Sequence, residues 1–279
     1  MKVAAVIGSP IEHSLSPTIH NAAFRTHGDD WVFVAFHVEA GHAGQALESM
    51  RALEIGGLAV TMPLKTEVCD AVDALDDSAR LAHSVNTVIR QADGSLLGAN
   101  TDGDGCCNAL ESAGAVLASA KVAVIGAGGT ARAIIGALSS RGIAEVAVIN
   151  RTKRNSQQAI EISPLARIGD ESDIAKANVV INATPLGMVG TDQTELPCDI
   201  ALLSRGQFVL DAVYRPLATP WLRGARQVGA TTVDGIDMLV HQGALQQLLW
   251  LGRLPSVEIM RTAALEQINS RSAEHAPIA

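Results

Sequence analysis

Residues 121–133 read KVAVIGAGGTARA, which is a short apolar run followed by a glycine-rich turn and a helical pattern. This order of strand, turn and helix is the context that a dinucleotide-binding turn requires. Gly126 permits the sharp turn, and Gly128 lets the backbone approach a pyrophosphate at the helix N-terminus. The third small position is Ala131, which the motif allows. Taken alone, the pattern fits an ordinary tight turn equally well.

The segment after the next predicted strand bears on the choice of cofactor. Val146–Ile149 reads as a strand, and Asn150-Arg151-Thr152-Lys153-Arg154 follows it. This segment lies roughly 20 residues past the glycines, where an NAD enzyme places Asp or Glu. No acidic residue occurs in positions 150–158, and an arginine suits a 2′-phosphate. The sequence therefore favours NADP, with a basic surface loop as the alternative.

Length and composition set the broad class of the protein. The 279 residues suggest about two domains, and 48% hydrophobic with 18% charged residues predicts a sizeable core. The net charge of −8 argues against a nucleic-acid partner, which needs a basic face. The four cysteines form no C-x-x-C pair, which indicates a reduced, cytoplasmic protein. No run approaches ~18 uninterrupted apolar residues, so no membrane span is expected.

A helix is predicted from about Cys107 to Ala113. Strand and helix signals then alternate through the middle of the chain, from Val122 to Val233, with a helix at Pro220–Gln227. Alternation at this spacing predicts an α/β fold with a parallel, doubly wound sheet. The first hundred residues also alternate, and Asp93-Gly94 between apolar runs predicts a hairpin. The C-terminal part reads as two helices, at 235–250 and 257–269, followed by a polar tail.

Several polar residues stand where predicted strands end or helices begin. Ser16 before Pro17 is a good helix start, so Ser14 and Ser16 are interpreted either as plain caps or as an anion site at a helix N-terminus. Lys65 opens a helix after the third strand, where a cation is poorly placed. An ordinary surface lysine is the alternative. The aspartate-glycine run at 100–105 lacks the terminal Glu of a calcium loop, so no metal site is predicted.

The chain resembles the shikimate dehydrogenases over nearly its whole length. Some of the motifs that carry the resemblance are common individually, but their order and spacing together are specific. They are Ser14-Leu15-Ser16-Pro17 with His20-Asn21, Val60-Thr61-Met62-Pro63-Leu64-Lys65, Val85-Asn86-Thr87-Val88, Asn100-Thr101-Asp102-Gly103, the glycine turn, Asn150-Arg151-Thr152, Asn182-Ala183-Thr184-Pro185-Leu186-Gly187-Met188, Asp211-Ala212-Val213-Tyr214, and Gly235 through Gln242.

The resemblance implies a particular activity and domain organisation. The expected reaction is the reversible NADP-dependent reduction of 3-dehydroshikimate to shikimate. Residues 1–103 and 236–279 would form the substrate-binding catalytic domain, and residues 104–235 a Rossmann-type NADP-binding domain. The alternatives are a quinate/shikimate or aminoshikimate dehydrogenase that uses NAD, and a dinucleotide-binding sensor without catalysis. The expected partners are small molecules, and the sequence leaves open whether the protein is a monomer or a homodimer.

The resemblance also implies roles for individual residues. Lys65 and Asp102 correspond to the family's catalytic pair. Ser14 and Ser16 would hold the substrate carboxylate, and the residues implied to meet the rest of the substrate are Thr61, Asn86, Asp102, Tyr214 and Gln242. The residues implied to bind the cofactor are Gly126, Gly128, Gly129, Thr130, Ala131, Asn150, Arg151, Thr152, Arg154, Thr184, Gly235 and Met238. Departures from the family pattern are Ala59, His83-Ser84, and Asn155, which stands where a second cation is usual.

Overall fold

The computed structural model describes residues 1–192 and 194–274, with side chains described up to residue 270; residues 275–279 of the predicted polar tail lie outside the described residues. The described strands are β1 (Lys2–Gly8), β2 (Trp31–His37), β3 (Gly57–Val60), β4 (Ala74–Leu75), β5 (Thr87–Arg90), β6 (Leu96–Ala99), β7 (Lys121–Ile125), β8 (Glu145–Ile149), β9 (Ala166–Ile168), β10 (Val179–Asn182), β11 (Phe208–Asp211) and β12 (Thr231–Val233). The described helices are α1 (Ser16–His27), α2 (Ala43–Ala52), α3 (Lys65–Ala71), α4 (Asp77–Ala82), α5 (Asp102–Ser112), α6 (Gly129–Ser140), α7 (Lys153–Ile160), α8 (Glu171–Ile174), α9 (Pro220–Gln227), α10 (Gly235–Leu251) and α11 (Val257–Glu274).

The chain divides into two compact units. The first comprises Met1–Arg80, Ser84–Thr101 and the chain from Gly243 onward, and the second comprises Leu81–His83 and Asp102–Gln242. One division therefore falls directly before α5, and another falls inside α10. Among the helices of the described chain, none combines the length and the apolar character needed to cross a membrane.

The second unit is built on a parallel sheet. Its described strands lie in the order β12-β11-β10-β7-β8-β9, and every neighbouring pair is parallel. Strands β8 and β9 follow β7 on one side of it, and β10, β11 and β12 follow one another on its other side. This is the Rossmann strand order. Successive residues of β7 face opposite sides of the sheet, so Val122 and Val124 join one hydrophobic cluster while Ala123 and Ile125 join another. The predicted doubly wound sheet is confirmed.

The first unit is built on a mixed sheet. Its described strands lie in the order β2-β1-β3-β5-β6-β4. The first three of these are parallel, whereas β5 pairs antiparallel with both β3 and β6. The predicted hairpin around Asp93-Gly94 is the β5–β6 pair. On β3, Leu58 and Val60 pack into one cluster and Ala59 packs into the other, so both faces of this strand are buried.

One predicted helix boundary is wrong at a point that matters for the site. The sequence indicated a loop at 100–105 and a helix from Cys107, but α5 begins at Asp102. Glycine disfavours a helix interior by about 1 kcal/mol relative to alanine. Here it is required, because a Cβ on Gly103 would lie 2.2 Å from the carbonyl oxygen of Ala133 in α6. Close packing of the two helices therefore overrides the local propensity.

His20 lies in the core of the first unit. Its side chain is fully buried, and its ring stacks on Phe33 with the ring centroids 4.3 Å apart. Burial disfavours the charged imidazolium and lowers the pKa of His20 to about 3.

We expect this histidine to make stability depend on pH. The ordinary pKa of 6.5 lies above the folded value, so between them the unfolded state binds a proton that the folded state does not. The contribution of His20 to the free energy of unfolding is therefore complete above the ordinary pKa, and it is lost as the pH falls towards about 3. His20→Gln should remove up to about 1.4 kcal/mol per pH unit from the slope of the unfolding free energy. Urea unfolding at a series of pH values measures this. The exposed His13→Gln control should keep the wild-type slope, and an unchanged slope in His20→Gln would contradict the prediction.

Candidate active site

The start of α1 brings Ser14 and Ser16 together in the first unit. The prediction that Ser16 caps the helix is wrong, because Ser16 is the first helical residue and Leu15 occupies the N-cap position. The Ser14 hydroxyl instead accepts a hydrogen bond from the Ser16 backbone N–H at 3.2 Å. The 12-residue helix thus begins with two serine hydroxyls beside the positive end of its dipole, which suits an anion.

Thr61 and Lys65 follow the end of β3. The Thr61 N–H donates to the Ile7 carbonyl at 3.0 Å, so this segment remains attached to β1 after the strand ends. Lys65 is half-buried and is the first residue of α3. Its carbonyl accepts from the Val85 N–H at 2.9 Å. The loop that carries Lys65 is therefore held from both sides by backbone hydrogen bonds within the first unit.

Asn86 is buried directly before β5, and its side-chain amide is held by its neighbours. Its Oδ1 accepts from the Thr101 N–H and from the Thr87 hydroxyl, both at 2.8 Å. Its Nδ2 donates to the Thr101 hydroxyl at 2.9 Å. The amide therefore has one defined orientation, which an amide needs if it is to discriminate between donors and acceptors on a ligand.

Asp102 opens α5 in the second unit and is only 5% exposed. Its Oδ2 accepts from the hydroxyl of Thr130 at 3.2 Å. Thr130 belongs to the glycine-rich turn, so the structure joins a residue predicted to bind cofactor to a residue predicted to be catalytic. The sequence contained no signal for this pairing beyond the presence of a hydroxyl in the turn.

The glycine-rich turn is shaped to accept a dinucleotide. Gly126 has a positive φ of 114°, and a Cβ on it would lie 3.0 Å from the Ala183 carbonyl oxygen at the end of β10. The turn therefore lies where the strand order reverses, between β7 and β10, which is where Rossmann folds bind their ligands. A Cβ on Gly128 would meet nothing within 4 Å. Gly129 and Thr130 begin α6, and no described side chain caps that helix. Ala131 is fully buried against the core.

The loop after β8 carries the predicted cations. Asn150 shapes the loop by donating from Nδ2 to the Thr152 carbonyl at 3.0 Å. Thr152 occupies the N-cap position of α7. Arg151, Lys153 and Arg154 are all exposed, so their charges are accessible to an anionic ligand. Three cations at this place fit a 2′-phosphate.

A buried polar cluster fixes the loop that carries Thr184. The Thr184 hydroxyl donates to Asn182 Oδ1 at 2.6 Å, and Asn182 Nδ2 donates to Asp211 Oδ1 at 2.8 Å. Burial raises the pKa of Asp211, although donors from Thr219, Val213 and Asn182 oppose that shift. Sequence reasoning quoted Asn182 and Asp211 within motifs but did not identify their structural role.

The remaining predicted residues lie at the end of β11 and in α10. Tyr214 is half-buried in the loop after β11. Gly235 begins α10, where a Cβ would lie 2.6 Å from the Val213 carbonyl oxygen, so the helix starts against this loop. Met238 is 6% exposed and joins the hydrophobic core. Gln242 is buried, and its Nε2 donates to the Leu239 carbonyl at 2.9 Å.

The Rossmann strand order, the glycine turn at its switch point and the basic loop after the second strand define a dinucleotide-binding protein. Three family models match the chain: shikimate dehydrogenase substrate binding domain at residues 6–88, shikimate/quinate 5-dehydrogenase at 108–188, and shikimate 5′-dehydrogenase C-terminal domain at 235–265. A shikimate dehydrogenase (NADP(+)) from Pyrococcus abyssi is 43% identical over 270 residues, which cover 96% of this chain and 99% of that relative. The protein belongs to the shikimate dehydrogenase family.

Solved structures are similar over the same extent. The shikimate 5-dehydrogenase of Thermus thermophilus, in complex with NADP(H) and shikimate, has a TM-score of 0.89 and 34% identity, and the match covers 95% of this chain and 99% of that chain. The shikimate 5-dehydrogenase of Listeria monocytogenes, in complex with shikimate and NAD, has a TM-score of 0.86 and 32% identity, and the match covers 94% of this chain and 96% of that chain. The two relatives differ in the cofactor bound, so cofactor choice needs its own test.

Proposed function

We propose that this protein catalyses the reversible NADP-dependent reduction of 3-dehydroshikimate to shikimate. The observation that carries the proposal is the full-length similarity to shikimate dehydrogenases. The residues at the matching motifs suit the same chemistry. We assign residues 1–103 and 236–279 to substrate binding and catalysis, and residues 104–235 to NADP binding.

Each part of the substrate has a chemically suitable set of groups. Ser14 and Ser16 bind the carboxylate with hydroxyls and a helix N-terminus, which avoids burying a second full charge. The groups that bind the ring hydroxyls are those of Thr61, Asn86, Asp102 and Gln242, because hydroxyl and amide groups can donate to or accept from a ring hydroxyl, and a carboxylate can accept from one. Tyr214 contacts the substrate, while Gly235 and Met238 border the nicotinamide.

Lys65 and Asp102 handle the proton. When bound, NADPH supplies the hydride. Reduction leaves negative charge on the former carbonyl oxygen, and the Lys65 ammonium donates a proton to that oxygen. In the oxidation direction the neutral amine takes the proton from the hydroxyl. Asp102, whose Oδ2 accepts from the Thr130 hydroxyl at 3.2 Å, accepts a hydrogen bond from a substrate hydroxyl.

The decisive experiment follows nicotinamide absorbance when the purified protein is mixed with shikimate and NADP. Rapid appearance of NADPH supports the proposal. Faster turnover with quinate and NAD would instead identify a quinate-type enzyme, and NADP binding without turnover of any of these substrates would identify a sensor. We further propose a cytoplasmic location, consistent with Cys106, Cys107 and Cys198, which are buried thiols outside any disulfide. We expect a monomer or homodimer, which light scattering distinguishes.

The choice of NADP over NAD should depend on Arg151. A charge-assisted contact to the 2′-phosphate is worth ~1.5–3 kcal/mol, which corresponds to roughly 10- to 150-fold preference. We expect the lower part of that range, because Asn155 replaces the usual second cation. Arg151→Ala should raise the KM for NADP and leave NAD kinetics nearly unchanged. Steady-state kinetics with both cofactors measures the effect.

The matched control for Arg151→Ala is Arg205→Ala, another exposed arginine of the same unit. This variant should keep the wild-type ratio of kcat/KM for the two cofactors. A wild-type enzyme that uses NAD as readily as NADP would contradict the cofactor proposal and favour the quinate-type alternative.

A further inference from the structure

Six buried polar side chains of the first unit form one continuous hydrogen-bonded series. Each is 4% exposed or less. In order along the series they are Gln247, His20, Gln246, Thr87, Asn86 and Thr101. Buried polar groups of this kind rigidify a structure when all their hydrogen bonds are satisfied. The series includes Asn86, the residue proposed to bind a substrate hydroxyl.

Gln247 determines which nitrogen of His20 carries the proton. Its Nε2 lies 3.3 Å from the His20 carbonyl oxygen and 3.0 Å from His20 Nδ1. A carbonyl oxygen can only accept, so this end of the Gln247 amide is the donor and Nδ1 is an acceptor. The ring proton therefore resides on Nε2, which lies 3.2 Å from Oε1 of Gln246. Because burial lowers the pKa of His20 to about 3, the ring remains neutral at physiological pH.

Gln246 transmits this direction to Asn86. With its oxygen facing His20, its Nε2 donates to the Asn86 carbonyl at 3.1 Å and to the Thr87 hydroxyl oxygen at 3.2 Å. The Thr87 hydroxyl accepts there, so its own proton is donated to Asn86 Oδ1 at 2.8 Å. Every hydrogen bond between Gln247 and Asn86 along the series then runs in one direction, towards Asn86.

We propose that Thr87 and Gln246 are positioning residues that hold the Asn86 amide oxygen away from the substrate and present its nitrogen as the donor. The inference rests on the proposed substrate role of Asn86. The Thr101 backbone N–H donates to the same oxygen at 2.8 Å, so loss of the Thr87 hydroxyl loosens the amide without reversing it. Removing the Thr87 hydroxyl should therefore weaken shikimate binding by about as much as the loss of one neutral hydrogen bond.

The test compares two variants at position 87 that separate the hydroxyl of the threonine from its methyl group. Thr87→Val keeps the shape and removes the hydroxyl, and should raise the KM for shikimate about three- to tenfold, with the KM for NADP unchanged. Thr87→Ser keeps the hydroxyl and removes the methyl, and should stay within about twofold of wild type. Thermal unfolding of both variants shows whether each is folded. Gln246→Met, which removes the donor to Thr87, should act in the same direction as Thr87→Val and provides a second route if that variant fails to fold.

The Asn86→Ala background separates the positioning role from the proposed function. If Thr87 acts through Asn86, then Thr87→Val should have no further effect on shikimate KM once Asn86 is alanine. The same effect in both backgrounds, or an equal effect of Thr87→Ser and Thr87→Val, would overturn the positioning role. Unchanged shikimate affinity in Asn86→Ala alone would instead refute the substrate role on which the inference rests.

Discussion

Lys65→Ala is expected to lower kcat by ~10²–10⁴-fold, because general acid–base catalysis typically contributes that much. The KM for shikimate should change far less, since the proposed role of the side chain is proton transfer rather than binding. The backbone at this point should tolerate the change, because the contact that holds the start of α3 uses the Lys65 carbonyl. Steady-state kinetics in both directions, with shikimate binding measured by calorimetry, tests the prediction.

Two comparisons distinguish catalysis from a general loss of charge. Lys65→Met, which retains most of the side-chain volume, should be as inactive as Lys65→Ala, whereas the exposed Lys176→Ala should keep wild-type activity. Asp102→Ala should raise the KM for shikimate as well as lower kcat. The double variant should be little worse than the poorer single variant if the two residues act as one unit. If Lys65→Ala lowers kcat by less than about tenfold, the catalytic assignment is wrong.

The paired change Ser14→Ala with Ser16→Ala should have the second largest effect. Each hydrogen bond lost to a charged carboxylate costs ~1.5–3 kcal/mol, so each serine should account for roughly 10- to 150-fold in shikimate affinity. NADP affinity should remain nearly intact, because neither serine belongs to the unit that carries the glycine turn. Calorimetry with each ligand measures the two affinities separately.

The Ser14 hydroxyl also accepts a hydrogen bond from the Ser16 N–H, so loss of this hydroxyl should slightly lower the free energy of unfolding. Ser49→Ala is the matched control, because Ser49 is an exposed helix serine of the same unit whose hydroxyl donates to the Gln45 carbonyl. It should leave shikimate affinity unchanged. If the paired variant binds shikimate as wild type does, both serines serve only the start of the helix.

Elements with strong local signals were predicted closely, whereas short paired segments were missed. The predicted helix at Pro220–Gln227 matches α9 residue for residue, and its Thr219-Pro220 start carries a cap, with the Thr219 hydroxyl accepting from the Leu222 N–H. By contrast, β4 has two residues and β9 has three. Segments this short contain no period, so only pairing with a neighbouring strand makes them strands.

The candidate residues of the site were found from motifs, but their mutual contacts were not. Thr130 was predicted to face the cofactor, and its hydrogen bond to Asp102 joins residues 28 positions apart. Thr87 belongs to the motif Val85-Asn86-Thr87-Val88, but no role was predicted for it. Its hydrogen bond with Gln246 joins residues 159 positions apart. No local pattern encodes contacts over such separations. The donor direction through His20 likewise depends on which atoms the fold brings together.

The amino-acid order was sufficient for the α/β class, the Rossmann sheet, the dinucleotide turn and the basic loop after the second strand. Each of these is recognised from residues close together in the sequence, by the spacing of apolar residues, the positions of glycines or the sign of the charges. Such local patterns can be identified without the folded structure. The folded chain was needed to show that α5 starts at Asp102, that Ser14 rather than Ser16 accepts the helix amide, and that Asn86 has one amide orientation. These outcomes depend on close packing and on the pairing of buried polar atoms, which exist only once distant segments are in contact.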